Sequence, residues 1–304
     1  MSFDPGEIST MLAQYEADHD TKMDIEAMSN EIYNYTSGYP FLVSRICECI
    51  DKELGRDWTP SGMQKAVQVL LMEKNTLFDD LIKNIKMDEK LSSFVYSIIF
   101  GNKEESYNID NRLVDFGAMF GFIANCDGKA VISNKVFEIR FANYFISIRQ
   151  REDKHPANVL RRDVIRDGRF DMELCIKKFA EHYAEIYCEK DYPFLESRGR
   201  LLFLTYLSPL INGQGFYHIE SHLTDMRRMD IVVDFGQDQF IVELKIWRGE
   251  AAREDSFAQL LGYMEKKGTA EGYLLTFDFR KGKNKQTKAE WVNTGGKKIF
   301  EAVV

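Results

Sequence analysis

One stretch limits the fold more than any other: "RRMDIVVDFGQDQFIVELK", from Arg227 to Lys245. Two runs of alternating apolar residues flank Gly236-Gln237, and a glycine-bearing two-residue loop between such runs predicts a β-hairpin. A turn centred there sets Asp230 opposite Glu243 and Arg228 opposite Lys245. Side chains alternate between the two faces of a strand. One face therefore receives Met229, Ile231, Val233 and Phe235 with Phe240, Val242, Leu244 and Ile246, and must be core. The other receives Arg228, Asp230, Val232, Ile241, Glu243 and Lys245, with its polar members gathered at one end.

Directly opposed like charges destabilise a sheet, so Asp230 beside Glu243 needs a reason. A bound divalent cation is the commonest good one. Mg²⁺ takes a few carboxylate oxygens and completes its octahedron with water and substrate phosphate. Lys245, two residues past Glu243 on the same side, suits the orientation or deprotonation of an attacking water, or the charge developing on phosphorus. The alternative is an exposed edge face on which Arg228, Asp230, Glu243 and Lys245 form a solvated lattice of ion pairs, which contributes little.

The hairpin sits late in a chain of 304 residues, a length that suggests two domains or three small ones. Residues 1–75 read as helical. "MDIEAMSNEIYNYTSG" has apolar residues at helical spacing and Gly38 where a C-cap belongs. "YPFLVSRICECIDKELG" repeats the design from Pro40 to Gly55, and Thr59-Pro60 marks another helix start. In residues 76–150, helical patterns near 76–86, 88–100 and 109–118 precede two short strands around Asp127-Gly128, and "KVFEIRFANYFISIR" returns to helix. Three helices and a hairpin suggest a winged-helix module. Its third helix, "IDNRLVDFGAMF", carries the single arginine Arg112, so packing is a simpler role for it than DNA recognition.

"QREDKHPANV" reads as a linker. Residues 155–304 then give helices near 157–167, 171–189 and 193–211, the strands "GFYHIESHL", "RRMDIVVDF" and "QFIVELKIW", and a helix near 254–267. After that come the strand "GYLLTFDF", a basic loop "RKGKNKQTK", "AEWVN" and the strand "KKIFEAVV". The fold class expected is α+β overall, with a mixed α/β C-terminal domain built on a central sheet flanked by helices.

Net charge is −8, which argues against a general nucleic-acid coat protein. Residues 155–304 hold 23 basic and 23 acidic residues, so the whole imbalance lies in residues 1–154. The hairpin's half of the chain is therefore not hostile to phosphate. No window approaches the ~18 apolar residues of a membrane span, and "MSFDPGEIST" lacks the basic and apolar regions of a signal peptide. The cysteines Cys47, Cys49, Cys126, Cys175 and Cys188 are odd in number and irregularly spaced, which fits reduced thiols and a cytoplasmic location. Cys47 and Cys49 lack the second pair of a zinc site.

"FAQLLGYMEKKG" places Gln259 and Tyr263 on one helix face, and "YPFLESRGRLLFLTYLSPLI" carries Glu196 near the start of an apolar helix. An acidic residue on a helix, Asp on a strand, Glu-x-Lys on the next and Gln-x-x-x-Tyr on the following helix resembles the PD-(D/E)xK nuclease superfamily, the restriction-endonuclease-like fold. The resemblance implies a Mg²⁺- or Mn²⁺-dependent nuclease. Asp230 and Glu243 would be metal ligands, Lys245 the catalytic lysine, Glu196 the accessory acid and Gln259 the helix glutamine. The superfamily's usual proline before the aspartate is replaced by Met229.

"YNYTSGYPFLVSRICECID", "KNTLFDDLI", "INGQGFYHIESH" and the hairpin together look like the C-terminal part of bacterial AAA-like ATPases, in which a helical lid, a winged helix and a PD-(D/E)xK domain follow the ATPase. No G-x-x-x-x-G-K-[ST] occurs, and "GGKK" at 295–298 is not a P-loop, so no ATP site is expected in this chain. The likeness implies a lid (1–75), a winged helix (76–150) and a nuclease-like domain (155–304). The ATPase would be a separate partner or a preceding domain.

His218 and His222 could join a metal site, though strand packing is the simpler role. Arg228 and Arg248, with Arg280, Lys281, Lys283 and Lys285 and then Lys288, are candidates for nucleic-acid contact. Trp247 is more simply packing. Two functions follow: a metal-dependent phosphodiesterase acting on DNA, or a non-catalytic nucleic-acid-binding or protein-interaction module with a nuclease-like fold.

Overall fold

The computed structural model describes the backbone of residues 2–101, 105–152, 157–186, 196–221, 228–278 and 288–304, and the side chains of residues 151–160, 184–198 and 220–230 fall outside the description. The chain divides into two units. One comprises Met1–Ile99 and Lys103–Phe145, the other Phe100–Asn102 and Ile146–Val304.

In the first unit, local signals start the helices. α1 (Pro5–His19) follows a capping box: Asp4 accepts from the Glu7 N–H, and Glu7 accepts from the Asp4 N–H. α2 (Ile25–Thr36) ends at Ser37 and Gly38, both at positive φ. A Cβ on Gly38 would stand 1.8 Å from the Phe3 carbonyl oxygen, so only glycine allows this approach. α3 (Pro40–Glu48) runs into a π-helical turn (Cys49–Glu53), and α4 (Pro60–Met72) is capped by Thr59 with proline at its first position.

α5 (Thr76–Met87) and α6 (Glu89–Phe100) precede α7 (Arg112–Met119), which starts later than the expected 109. Asn108 and Asn111 explain the delay. Their side chains take the N–H groups of Asp110 and Leu113, forming a turn and a cap that compete with helix. β1 (Ile123–Cys126) and β2 (Lys129–Ile132) pair antiparallel around Asp127-Gly128, both at positive φ, and α8 (Lys135–Glu152) follows. Edge-to-face rings of Phe78, Phe122, Phe137 and Phe141 fill the interior of this unit.

The second unit begins with α9 (Ala157–Val164). The sequence reading extends that helix to 167. Instead β3 (Ile165–Arg166) and β4 (Arg169–Phe170) turn around Asp167-Gly168, a hairpin too short to carry periodicity. α10 (Met172–Ile186) and α11 (Glu196–Ile211) lead to β5 (Gly215–Ser221), β6 (Arg228–Phe235) and β7 (Asp238–Ile246). Then come α12 (Glu250–Lys267), β8 (Glu271–Phe277), β9 (Lys288–Thr294) and β10 (Lys297–Val303). The six strands form one sheet in the order β5-β6-β7-β8-β10-β9. β7–β8 and β8–β10 are parallel, and the other neighbours are antiparallel.

Both faces of this sheet are covered. Phe179 and Tyr183 of α10 and Phe203 of α11 cluster with Phe277 on one side. Gly199 of α11 comes so close to the Phe277 ring that a Cβ would meet it at 2.6 Å. On the other side α12 lays Phe257, Leu260, Tyr263 and Met264 over Val232, Ile241, Leu274 and Ile299. Each such fully buried apolar side chain contributes about 1.5–3 kcal/mol. Val232, Ile241 and Glu243 on the second face of the hairpin are therefore buried as well, and β6 and β7 are interior strands, not the exposed edge considered from sequence. Among the described residues no helix is long and apolar enough to cross a membrane.

Candidate active site

The β6–β7 register is the one the turn demands, and it sets Asp230 opposite Glu243. The ladder stops at that pair. No Arg228–Lys245 pair extends it as the simple hairpin requires; on the other edge of β6, Arg228 pairs with Ser221 of β5 across a register shift that leaves Met229 without a partner position on β5. On β5, Glu220 lies in register with Asp230, so three acidic positions cross three strands in a row: Glu220, Asp230 and Glu243. Sequence reasoning missed Glu220, although the alternation of "HIES" carries the signal. The side chains of Glu196, Glu220, Arg228 and Asp230 fall outside the description. Glu196 is the first residue of α11, and Arg228 and Asp230 belong to β6.

Glu243 is 1% exposed. A buried carboxylate is costly by several kcal/mol unless a cation meets it. Lys245 supplies that cation, with Nζ 2.6 Å from the Glu243 Oε1. That oxygen receives no aligned hydrogen bond, so the contact is chiefly Coulombic. The same ammonium donates to the Gln259 Oε1 at 3.1 Å. Glu243, Lys245 and Gln259 are thus brought together from β7 and α12. Tyr263 is buried one turn beyond Gln259 within the apolar cluster under α12. The Glu243 carboxylate is a hard oxygen donor of the kind Mg²⁺ or Mn²⁺ takes, and Asp230 and Glu196 are the further acidic positions that could complete such a set. Among the described residues no three His, Cys, Asp or Glu side chains gather as a cation site, and the side chains of Asp230 and Glu196 lie outside them.

Two other polar clusters lie on the α12 side of the sheet. His218 and Asp234, both 3% exposed, approach to 3.6 Å between Nδ1 and Oδ2, and Gln239 donates to the Asp234 Oδ1 at 2.7 Å. Asp234 and Gln239 share the face of Glu243 by alternation but face each other at the turn end, away from Asp230. His218 is packed in the sheet, and His222 lies outside the described residues. In the second cluster Glu301, fully buried on β10, receives two hydrogen bonds from Arg253 of α12, at 2.5 and 2.7 Å, and one from Lys288 at 3.0 Å. Burial pushes the Glu301 carboxyl up, but these donors outweigh it and hold the group below the usual carboxylate range.

Lys288 therefore belongs to β9 and is engaged by Glu290 and Glu301, which corrects its reading as a free loop cation. Arg280, Lys281, Lys283 and Lys285 lie outside the described residues. Arg248 is exposed after β7, and the Trp247 N–H donates to the Phe277 carbonyl. In the first unit Arg112 is paired with Asp88 at 2.7 Å, which ties the one arginine of α7 to a neighbouring carboxylate. Burial pushes the Cys47 thiol up to about 12 and raises Cys175 too, so neither is a thiolate near neutral pH.

A comparison with curated proteins found no match, and a comparison with solved structures found none. The three strands that carry the acidic row, the helix that carries Gln259 and β8 fall within one matched segment: residues 216–289 match the family model of the PD-(D/E)XK nuclease superfamily.

Proposed function

We propose that the second unit is a metal-dependent nuclease that hydrolyses phosphodiester bonds in DNA. The observation that carries the reading is the buried Glu243–Lys245 pair, braced by Gln259 and in register with Asp230, inside the segment that matches the nuclease superfamily. Asp230, Glu243 and Glu196 would hold Mg²⁺ or Mn²⁺. When bound, such a cation supplies a hydroxide-like nucleophile at neutral pH and neutralises charge on the phosphate. Lys245, fixed between Glu243 and Gln259, keeps an ammonium beside the acidic row, where it orients water and stabilises developing negative charge. Glu243 keeps that ammonium in place.

The first unit fits a regulatory role beside an AAA-like ATPase. Support for this comes from the order of α5, α6 and α7, the β1–β2 hairpin and α8, which is the order of a winged helix. The Arg112–Asp88 pair favours packing over base recognition for α7.

Purified protein is incubated with single- and double-stranded DNA and RNA in Mg²⁺, in Mn²⁺ and in a chelator. Cleavage of DNA that depends on either metal is the expected result. Intact substrate in all four cases and both metals contradicts the reading and leaves the non-catalytic binding module.

A further inference from the structure

The buried ion cluster on β10 has a place in the geometry of the site that its stability value does not explain. On α12, Arg253 lies one turn before Phe257 on the stripe that faces the sheet, and its guanidinium stacks 4.8 Å from the Phe257 ring centre. An apolar residue there would extend the stripe of Phe257, Leu260 and Met264. Instead the chain sets a partly exposed charge against Glu301, which is fully buried. Buried ion pairs are seldom more stabilising than apolar residues of the same volume. What they add is direction: an apolar stripe lets a helix slide and rotate on its sheet, whereas a two-pronged guanidinium–carboxylate contact fixes both motions.

The neighbouring contact needs that register. Glu243, Leu274 and Glu301 are successive partners across β7, β8 and β10. α12 crosses this row with Arg253 bound to Glu301 on one flank and Gln259 bound to Lys245 on the other. Six residues separate Arg253 from Gln259, about 9 Å of helix. Gln259 meets Lys245 through one hydrogen bond of 3.1 Å, so a shift of about 1 Å along the axis would break it. Lys288, at the start of β9, closes the other side of Glu301.

We infer that Arg253, Glu301 and Lys288 form a positioning clamp that sets the register of α12, and through it the Gln259–Lys245 contact of the nuclease site. The inference rests on the function proposed above for that site. Arg253 is a positioning residue, since among the described residues its contacts are with Glu250, Phe257 and Glu301 and not with Glu243 or Lys245.

The test removes the Arg253–Glu301 pair and leaves Lys288, which is partly exposed, with Glu290 as its partner. In the double variant Arg253→Met with Glu301→Leu, the apolar stripe is continuous, so thermal stability should stay near that of the wild type. The kcat for DNA cleavage should fall about 10–100-fold with KM little changed, because the lost interaction acts on the catalytic lysine and not on substrate binding. Arg253→Lys keeps one charged contact and should recover part of the rate. Labelling of Lys245 by an amine reagent should rise several-fold in the double variant and in Gln259→Ala alike.

Unchanged kcat and unchanged Lys245 labelling in a folded double variant overturn the clamp. So does a rate that falls only in proportion to the unfolded fraction. Should the wild type cleave nothing, the nuclease reading fails on its own, and the Lys245 labelling still decides whether the clamp holds the helix.

Discussion

Glu243 shows how far alternation reaches and where it stops. A period of two places it opposite Asp230 and on the side of Lys245, and the structure has that register. Its burial to 1% exposure is not legible from the hairpin, because the cover comes from α12, a separate element with its own apolar stripe. The pairing of Lys245 with both Glu243 and Gln259 depends on where that helix settles. Glu301 is harder still to find: its partners Arg253 and Lys288 lie 48 and 13 residues away in sequence, and no motif connects them. Its carboxyl is held below its unfolded value of about 4.3. A lowered folded value means stability present above the unfolded pKa and lost as pH falls through the folded one. Acid unfolding followed by far-ultraviolet circular dichroism should therefore show stability falling below about pH 4.3. Glu301→Gln, which cannot ionise, should be less stable at pH 7 and lose less between pH 5 and pH 3. An identical acid limb in the two proteins would show that Glu301 does not carry this linkage.

Elements with strong local signals are readable from sequence: the capping box at Asp4 and Glu7, Thr59-Pro60 before α4, and the Asp127-Gly128 and Gly236-Gln237 turns. The two-residue strands β3 and β4 are not, since periodicity needs more length than they have. The bulge at Met229 is also invisible to alternation, because it is a shift in the β5–β6 pairing, which the hairpin sequence does not specify. It makes a sharp expectation. Met229→Pro should change thermal stability by less than about 1 kcal/mol, whereas Val232→Pro, three residues into the same strand and paired on both sides, should cost about 3 kcal/mol or more. Comparable losses in the two melting curves would place no bulge there. The packing of α11 on β8 gives another. Gly199→Ala brings a methyl against the Phe277 ring, and overpacking of this kind costs about 1–3 kcal/mol, readable as a lowered Tm.

At the scale of the whole molecule, the acidic excess and the six-stranded sheet lie in different parts of the chain. The acidic excess lies entirely in residues 1–154, and the balanced remainder holds the six-stranded sheet and the nuclease-like segment 216–289. A phosphate substrate of the proposed nuclease would thus meet a stretch of balanced charge, residues 155–304, whose acidic row stands beside a lysine. Under the proposed function, Asp230, Glu243 and Lys245 form a working metal-dependent site rather than a relic of one. The measurement that reaches it most directly is the Mg²⁺-dependent rate of DNA cleavage by the wild type, Glu243→Ala and Lys245→Ala, compared at equal folded fraction. Loss of a group that acts on the transition state costs about 10²–10³-fold in rate, and each substitution should lower kcat by at least that much. Full activity in both variants would contradict the assignment.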